Sequence, residues 1–184
     1  MKQRTSENIH LKYITMKINK NIIIACLVIL LTSLILISFQ KDTIDSLDMT
    51  TINGEKITSK DLLGKVVLIN FWATDCPGCI AEMPGLINTY NKYKNQNFEL
   101  IAVSMFYDPP SHVLSYSKKN NLPFPVVLDI EKKIATQFKN VTLTPTSFLL
   151  DHQGKIINQI IGEINFNEFD LLLQKTIKKS ISNS

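Results

Sequence analysis

The apolar positions fall into one long uninterrupted run near the N-terminus and, after it, a body in which strand and helix periods alternate. Ile22–Phe39 carries no charged residue, and its polar residues are Thr32, Ser33 and Ser38. As a helix it would reach roughly 27 Å at about 1.5 Å per residue, close to the hydrocarbon thickness of a bilayer. Gln40–Ser46 reads as a polar spacer. Met49–Ile52 and Glu55–Thr58 flank Asn53-Gly54, a hairpin turn signal. Ser59–Leu63 reads as a helical turn closed by Gly64. Val66–Phe71 is an apolar run of strand length without alternation, the pattern of a central strand buried on both faces. Ile80, Met83, Leu86, Ile87, Tyr90 and Tyr93 then recur at helical spacing, with Pro84 expected to kink that helix. Phe98–Ser104 reads as a strand, Ser111–Asn120 as a polar helix, Val126–Leu128 as a short strand and Lys132–Phe138 as a short helix. Thr146–Leu150 and Ile156–Ile161 form a hairpin across Asp151-His152-Gln153-Gly154. Asn165 with Glu168 resembles a capping box for a final amphipathic helix bearing Phe166, Phe169, Leu172, Leu173 and Ile177, frayed from Lys179. Strands alternating with helices, then a hairpin and a helix, predict an α/β domain: a mixed central sheet with helices on both faces.

Charge adds a direction to this pattern. The 184-residue chain has a net charge of +4. Residues 1–21 hold Lys2, Arg4, Lys12, Lys17 and Lys20 against Glu7, whereas residues 22–184 balance fifteen lysines with fifteen acids. The body is therefore neutral and contains no arginine, which argues against a nucleic-acid-binding surface. Lys/Arg-rich flanks stay in the cytoplasm, so the body is expected on the far side. The expected organisation is a cytoplasmic basic tail (1–21), a transmembrane signal-anchor helix (22–39), a spacer (40–46), one domain (47–179) and a disordered tail (180–184). The location expected is a bacterial cytoplasmic (inner) membrane, single-pass, with the domain on the periplasmic or extracytoplasmic side. A cleaved signal peptide fits less well, because Leu36 would occupy the small-residue −3 site before Ser38. Cys26 reads as a small apolar membrane residue rather than a lipid acceptor, because most of the apolar run follows it.

Cys76-Pro77-Gly78-Cys79 is the constellation that carries chemistry. It lies between a buried strand and a helix, at the carboxyl end of a strand where open α/β sheets place their sites. A thiol at a helix N-terminus gains from the unpaired N–H groups and the helix dipole, which favour its anion. Pro77 suits the first helical position. Cys79 would lie one turn deeper, so the geometry suits attack by Cys76 and resolution by Cys79. A zinc site would need a second ligand pair, and His10, His112 and His152 show no ligand spacing. Haem attachment needs His where Ile80 stands. A purely structural disulfide remains open, although so short a loop constrains little chain.

Asn70-Phe71-Trp72-Ala73-Thr74-Asp75-Cys76-Pro77-Gly78-Cys79, then Glu82-Met83-Pro84, then Thr144-Pro145-Thr146-Ser147-Phe148-Leu149-Leu150-Asp151, resemble the thioredoxin superfamily. More closely they resemble its membrane-tethered TlpA/ResA-like thiol-disulfide oxidoreductases, over about Met49 to Lys178. The resemblance implies a thioredoxin fold with an N-terminal β-hairpin and a helix and strand inserted over Tyr107–Asp129. It implies Cys76 as nucleophile and Cys79 as resolving thiol. Pro145 would be a cis-proline facing the pair, with the Thr144 backbone docking substrate. Trp72, Pro77 and Gly78 complete the expected substrate-binding set, although Trp72 and Phe71 also read as core and pocket wall. Asn70 stands where thioredoxin carries a buried Asp. Glu82, one turn beyond Cys79, is expected to accept the resolving thiol's proton, against the plainer reading of a solvated helix glutamate. Asp75, beside Cys76, is expected to disfavour thiolate and push the pair toward the reducing side.

The function expected is reduction of disulfides in envelope proteins such as apocytochrome c or oxidase-assembly factors. The partners implied are protein dithiol or disulfide substrates, the membrane, and an integral-membrane thiol transporter (CcdA/DsbD-like) as electron donor. No cofactor beyond the redox-active Cys76–Cys79 disulfide, no metal and no nucleic acid are expected. A DsbA-like oxidant uses the same fold, and a strongly acidic Cys76 would favour it. A Sco-type copper chaperone would need CxxxC and a distant His. A peroxidase would need Thr three residues before the cysteine and an arginine beside it, whereas Thr74 is two before and Arg4 is the only arginine.

Overall fold

The structure, a computed structural model, describes residues 20–38 and 46–182. The chain divides into two units, Met1–Gln40 and Lys41–Ser184. In the first, α1 spans Lys20–Ser38, and the large apolar side chains of Ile22–Leu31 are all exposed. Among the described residues no helix is long and apolar enough to cross a membrane. The described side chains of α1 end at Ser33, so the span expected over Ile22–Phe39 rests on its sequence. Residues 1–19 of the basic tail, Phe39 of the expected span and residues 40–45 of the spacer lie outside the described residues.

The second unit is built on β3 (Val66–Trp72), whose seven residues are all buried. Its lack of alternation follows from having helices on both sides. The sheet runs β5 (Val126–Leu128), β4 (Phe98–Ser104), β3, β6 (Thr146–Leu150), β7 (Ile156–Ile161). β3, β4 and β5 are parallel, whereas β6 is antiparallel to β3 and β7 to β6. A hairpin of β1 (Asp48–Thr50) and β2 (Lys56–Thr58) precedes it, and Thr51 bridges to Val127 at the edge of β5. Successive side chains of a strand point to opposite faces, and β3 divides its own accordingly. Val66, Leu68 and Trp72 pack with Met83 and Leu86 of α3 (Pro77–Tyr93), Val113 of α4 (Pro110–Lys119) and Leu173 of α6 (Phe166–Ser182). Val67, Ile69 and Phe71 pack with Leu62 of α2 (Ser59–Leu62), Ile134 of α5 (Lys133–Gln137) and Phe148. Full burial of each such aliphatic contributes about 1.5–3 kcal/mol, so this strand anchors both layers.

This is the thioredoxin arrangement the resemblance implied, and α4 with β5 is the expected insertion. α6 does not fray from Lys179: it continues to Ser182, because Ser180 is buried and its hydroxyl bonds the Ile177 carbonyl at 2.7 Å. At the start of this helix, Asn165 accepts from Asn167 N at 3.2 Å. Pro84 lies inside α3, and Gly85 beside it lets Phe166 close in. A Cβ on Gly85 would collide with that ring.

Candidate active site

β3 ends at Trp72, and the chain turns through Ala73–Asp75 into α3. Asp108, buried after β4, fixes this turn by accepting from Thr74 N at 2.7 Å and Thr74 Oγ1 at 2.6 Å. The Thr74 hydroxyl is therefore committed to Asp108, not to a thiol. Cys76 is the N-cap of α3, with Pro77 at the first position. Its sulfur accepts from Cys79 N at 3.2 Å. Cys76 and Cys79 are joined in a disulfide with Cα atoms 5.3 Å apart. Cys76 is half-buried, whereas Cys79 is 0% exposed. Only the outer sulfur meets an incoming protein, and the inner one takes up or releases the bond behind it. At a helix N-terminus, a thiolate released at Cys76 faces N–H groups rather than water alone.

Behind the pair sits Glu82, three residues beyond Cys79 and 3% exposed. The plainer reading of a solvated glutamate is thus excluded. Its Oε1 accepts from Asn70 Nδ2 at 2.8 Å, and its Oε2 from Ile164 N at 3.1 Å. Asn70 also donates to Ser147 Oγ at 2.9 Å. That contact follows from register, since Asn70 and Ser147 oppose each other across β3 and β6. Burial pushes the Glu82 carboxyl above its ordinary range; the bonds from Ile164 and Asn70 hold it down in part, and the Glu163 charge raises it further. A carboxyl so placed takes a proton more readily than one in water.

The Thr144–Pro145 bond is cis. Pro145 is buried and Thr144 half-buried, its hydroxyl 3.3 Å from Tyr107 Oη. Pro145 O accepts from Gly162 N at 2.8 Å. Pro77 and Asp75 are exposed, and Gly78 is half-buried. Trp72 follows its reading as core and not its reading as a substrate contact. It is 0% exposed, in the core cluster with Cys79, and its ring lies 5.3 Å from that of Tyr116. An indole sealed under α4 supports the floor of the site and cannot touch a docking protein. Asp108, Ile164 N and Glu163 are site groups that motif reading does not reach, because each arrives from a segment remote in sequence; Ser147 lies in the Thr144–Asp151 motif, but its bond to Asn70 follows only from the register.

Residues 41–159 match the AhpC/TSA family. The chain belongs to that family. A thiol-disulfide oxidoreductase ResA of Bacillus cereus is 40% identical to this AhpC/TSA chain over 127 residues, covering 69% of the chain and 72% of the relative. StoA of Bacillus subtilis superposes with a TM-score of 0.61 at 28% identity, over 68% of this chain and 94% of that one. A thiol:disulfide interchange protein from Chlorobium tepidum reaches a TM-score of 0.69 at 24% identity, over 75% and 97%, a likeness of fold alone. The curated relatives make this AhpC/TSA chain a thiol-disulfide oxidoreductase of the thioredoxin superfamily.

Proposed function

We propose that the protein is a membrane-tethered reductant of disulfides in exported proteins. The observation that carries this is Glu82, a carboxylate sealed behind Cys79 and held on both oxygens by Asn70 and Ile164. In the reduced enzyme, Cys76 thiolate attacks one sulfur of the client disulfide. A Cys76–client bond forms, and the client's other sulfur leaves as thiolate. Cys79 then gives its proton to Glu82 and attacks Cys76, displacing the second client sulfur. Two electrons have passed to the client, and Cys76–Cys79 is a disulfide. Pro145 and the Thr144 backbone form the wall on which the client chain lies, with Pro77 and Gly78 beside it, and Asp75 disfavours thiolate at Cys76.

The tether is supported by the uncharged run Ile22–Phe39 and by Lys17 and Lys20 before it, which favour a cytoplasmic N-terminus and a domain outside the cytoplasm. Dithiols there are oxidised by default. An integral-membrane thiol transporter of the CcdA/DsbD kind would therefore return the two electrons. The clients that fit are cysteine pairs of apocytochrome c or of oxidase-assembly factors.

Replacing Cys79 by Ala should trap client proteins on Cys76 as mixed disulfides, and thiol labelling in cells should find the native pair mostly reduced. A pair found mostly oxidised, and still oxidised with the transporter present, would hand the role to a DsbA-like oxidant.

A further inference from the structure

Three consecutive residues after β7 touch three separate parts of the site. Gly162, at φ +92°, donates its N–H to Pro145 O at 2.8 Å. Ile164 donates its N–H to Glu82 Oε2 at 3.1 Å. Between them, the Glu163 side chain lies over Gly78. A Cβ built on Gly78 would meet Glu163 Oε1 at 2.9 Å and Cγ at 3.3 Å. The space left by the missing side chain in Cys-Pro-Gly-Cys is thus occupied by a carboxylate.

We propose that Glu163 is a second carboxylate of the redox site, a positioning residue whose charge over Gly78 disfavours thiolate in the dithiol and holds the pair toward its reducing side. The inference rests on the thiol-disulfide activity and adds to it a residue that tunes it. Oxidation of the dithiol to the disulfide releases two electrons to the client and two protons. A neighbouring anion destabilises the thiolate form of the reduced enzyme, so the equilibrium moves toward the disulfide and the pair becomes a stronger reductant. Glu82 senses the same charge. The other groups bonded to it are the uncharged Asn70 of β3 and the Ile164 N–H, with Ser147 of β6 behind Asn70. The Coulomb interaction acting on Glu82 comes from Glu163. Asp75 supplies a further charge from the turn before Cys76. Glu163 is itself exposed, so removing its charge disturbs no core packing.

The test uses Glu163→Gln, Glu163→Asp and Gly78→Ala in the full-length protein. The readouts are the pH midpoint of Cys76 alkylation and the redox equilibrium constant against dithiothreitol. Glu163→Gln should lower the midpoint by about half to one pH unit and, at a pH above that midpoint, where the thiolate is the form present, shift the equilibrium about three- to tenfold toward the oxidising side, a tenfold shift being about 30 mV. Glu163→Asp should stay nearer the wild type. Gly78→Ala, which pushes the carboxylate aside, should shift both readouts in the same direction as Glu163→Gln, and should add little in the Glu163→Gln background. A folded Glu163→Gln protein with unchanged midpoint and equilibrium would overturn the proposal. So would a Gly78→Ala shift undiminished in that background. A wild type that fails to exchange with dithiothreitol would instead refute the oxidoreductase activity itself.

Discussion

Replacing Glu82 by Gln separates its chemical contribution from its structural one. Glutamine has the same shape, but it offers one acceptor and one NH2 where the carboxylate offers two acceptors. Its oxygen can take the Ile164 N–H, which is fixed by the backbone. The NH2 then faces Asn70, whose Oδ1 has no partner among the described residues. Rotating the Asn70 amide turns that oxygen toward the new donor, and the Ser147 hydroxyl can donate to it in turn. The cluster keeps as many bonds as before, with the Asn70 NH2 taking the partnerless place of its oxygen, and the desolvation of a buried charge is removed. The net change in stability should stay within about 1 kcal/mol at neutral pH. Resolution of the mixed disulfide should suffer far more, because Cys79 loses its proton acceptor. General-base assistance contributes about 10²–10⁴-fold, so release of a chromogenic thiol from Cys76 should slow by about 100-fold or more. Single-turnover kinetics under excess reduced enzyme would read that step, with urea unfolding on the same preparation. A folded variant that resolves within about twofold of the wild-type rate would refute the role given to Glu82.

The same carboxyl makes stability depend on pH. Because burial raises its folded-state pKa above the ordinary 4.5, the native state holds the proton more tightly than the unfolded chain. This contribution to stability is greatest below the unfolded value and is lost as pH rises through the folded one. Urea midpoints of the wild type minus those of Glu82→Gln should fall from acid toward neutral pH; a rising difference would contradict the burial argument. Asp108→Ala should destabilise the domain by about 2–4 kcal/mol in urea unfolding, since it strands Thr74 N and Oγ1 beside a new cavity. Asp108→Asn should cost less, because one acceptor remains.

The elements whose logic is local were legible in the chain. Val66–Phe71 announced a doubly buried strand because no alternation was present to leave a face wet, and Asn53-Gly54 announced its hairpin. Cys76 at a helix start required only a strand before it and Pro77 after it. What stayed hidden depends on register and long-range contact. Asn70 interrupts an apolar run, which signals a buried polar partner, but its partners Ser147 and Glu82 follow only once β6 lies against β3. Nothing around Glu163 distinguishes it from a loop glutamate until α3 and the end of β7 meet. Trp72 stands next to a redox motif, which invites a surface role. It also reads as core, and the structure adds that the element covering it is the inserted α4. The end of α6 reads short because Lys178 and Lys179 look like a solvated terminus, whereas Ser180, the next residue, is buried.

Glu82 and the amide that holds its second oxygen are 82 residues apart in sequence. At ribosomal rates of roughly 5–20 residues per second, Ile164 is made about 4–16 s after Glu82. Throughout that interval Glu82 lacks the Ile164 N–H that holds its second oxygen. A chain that stops short of Glu163 therefore carries the Cys76–Cys79 pair with its helix N-terminus but without the carboxylate over Gly78 or the amide that holds Glu82. Completion of the last hairpin and helix is thus the moment at which two reactive cysteines become one controlled redox centre.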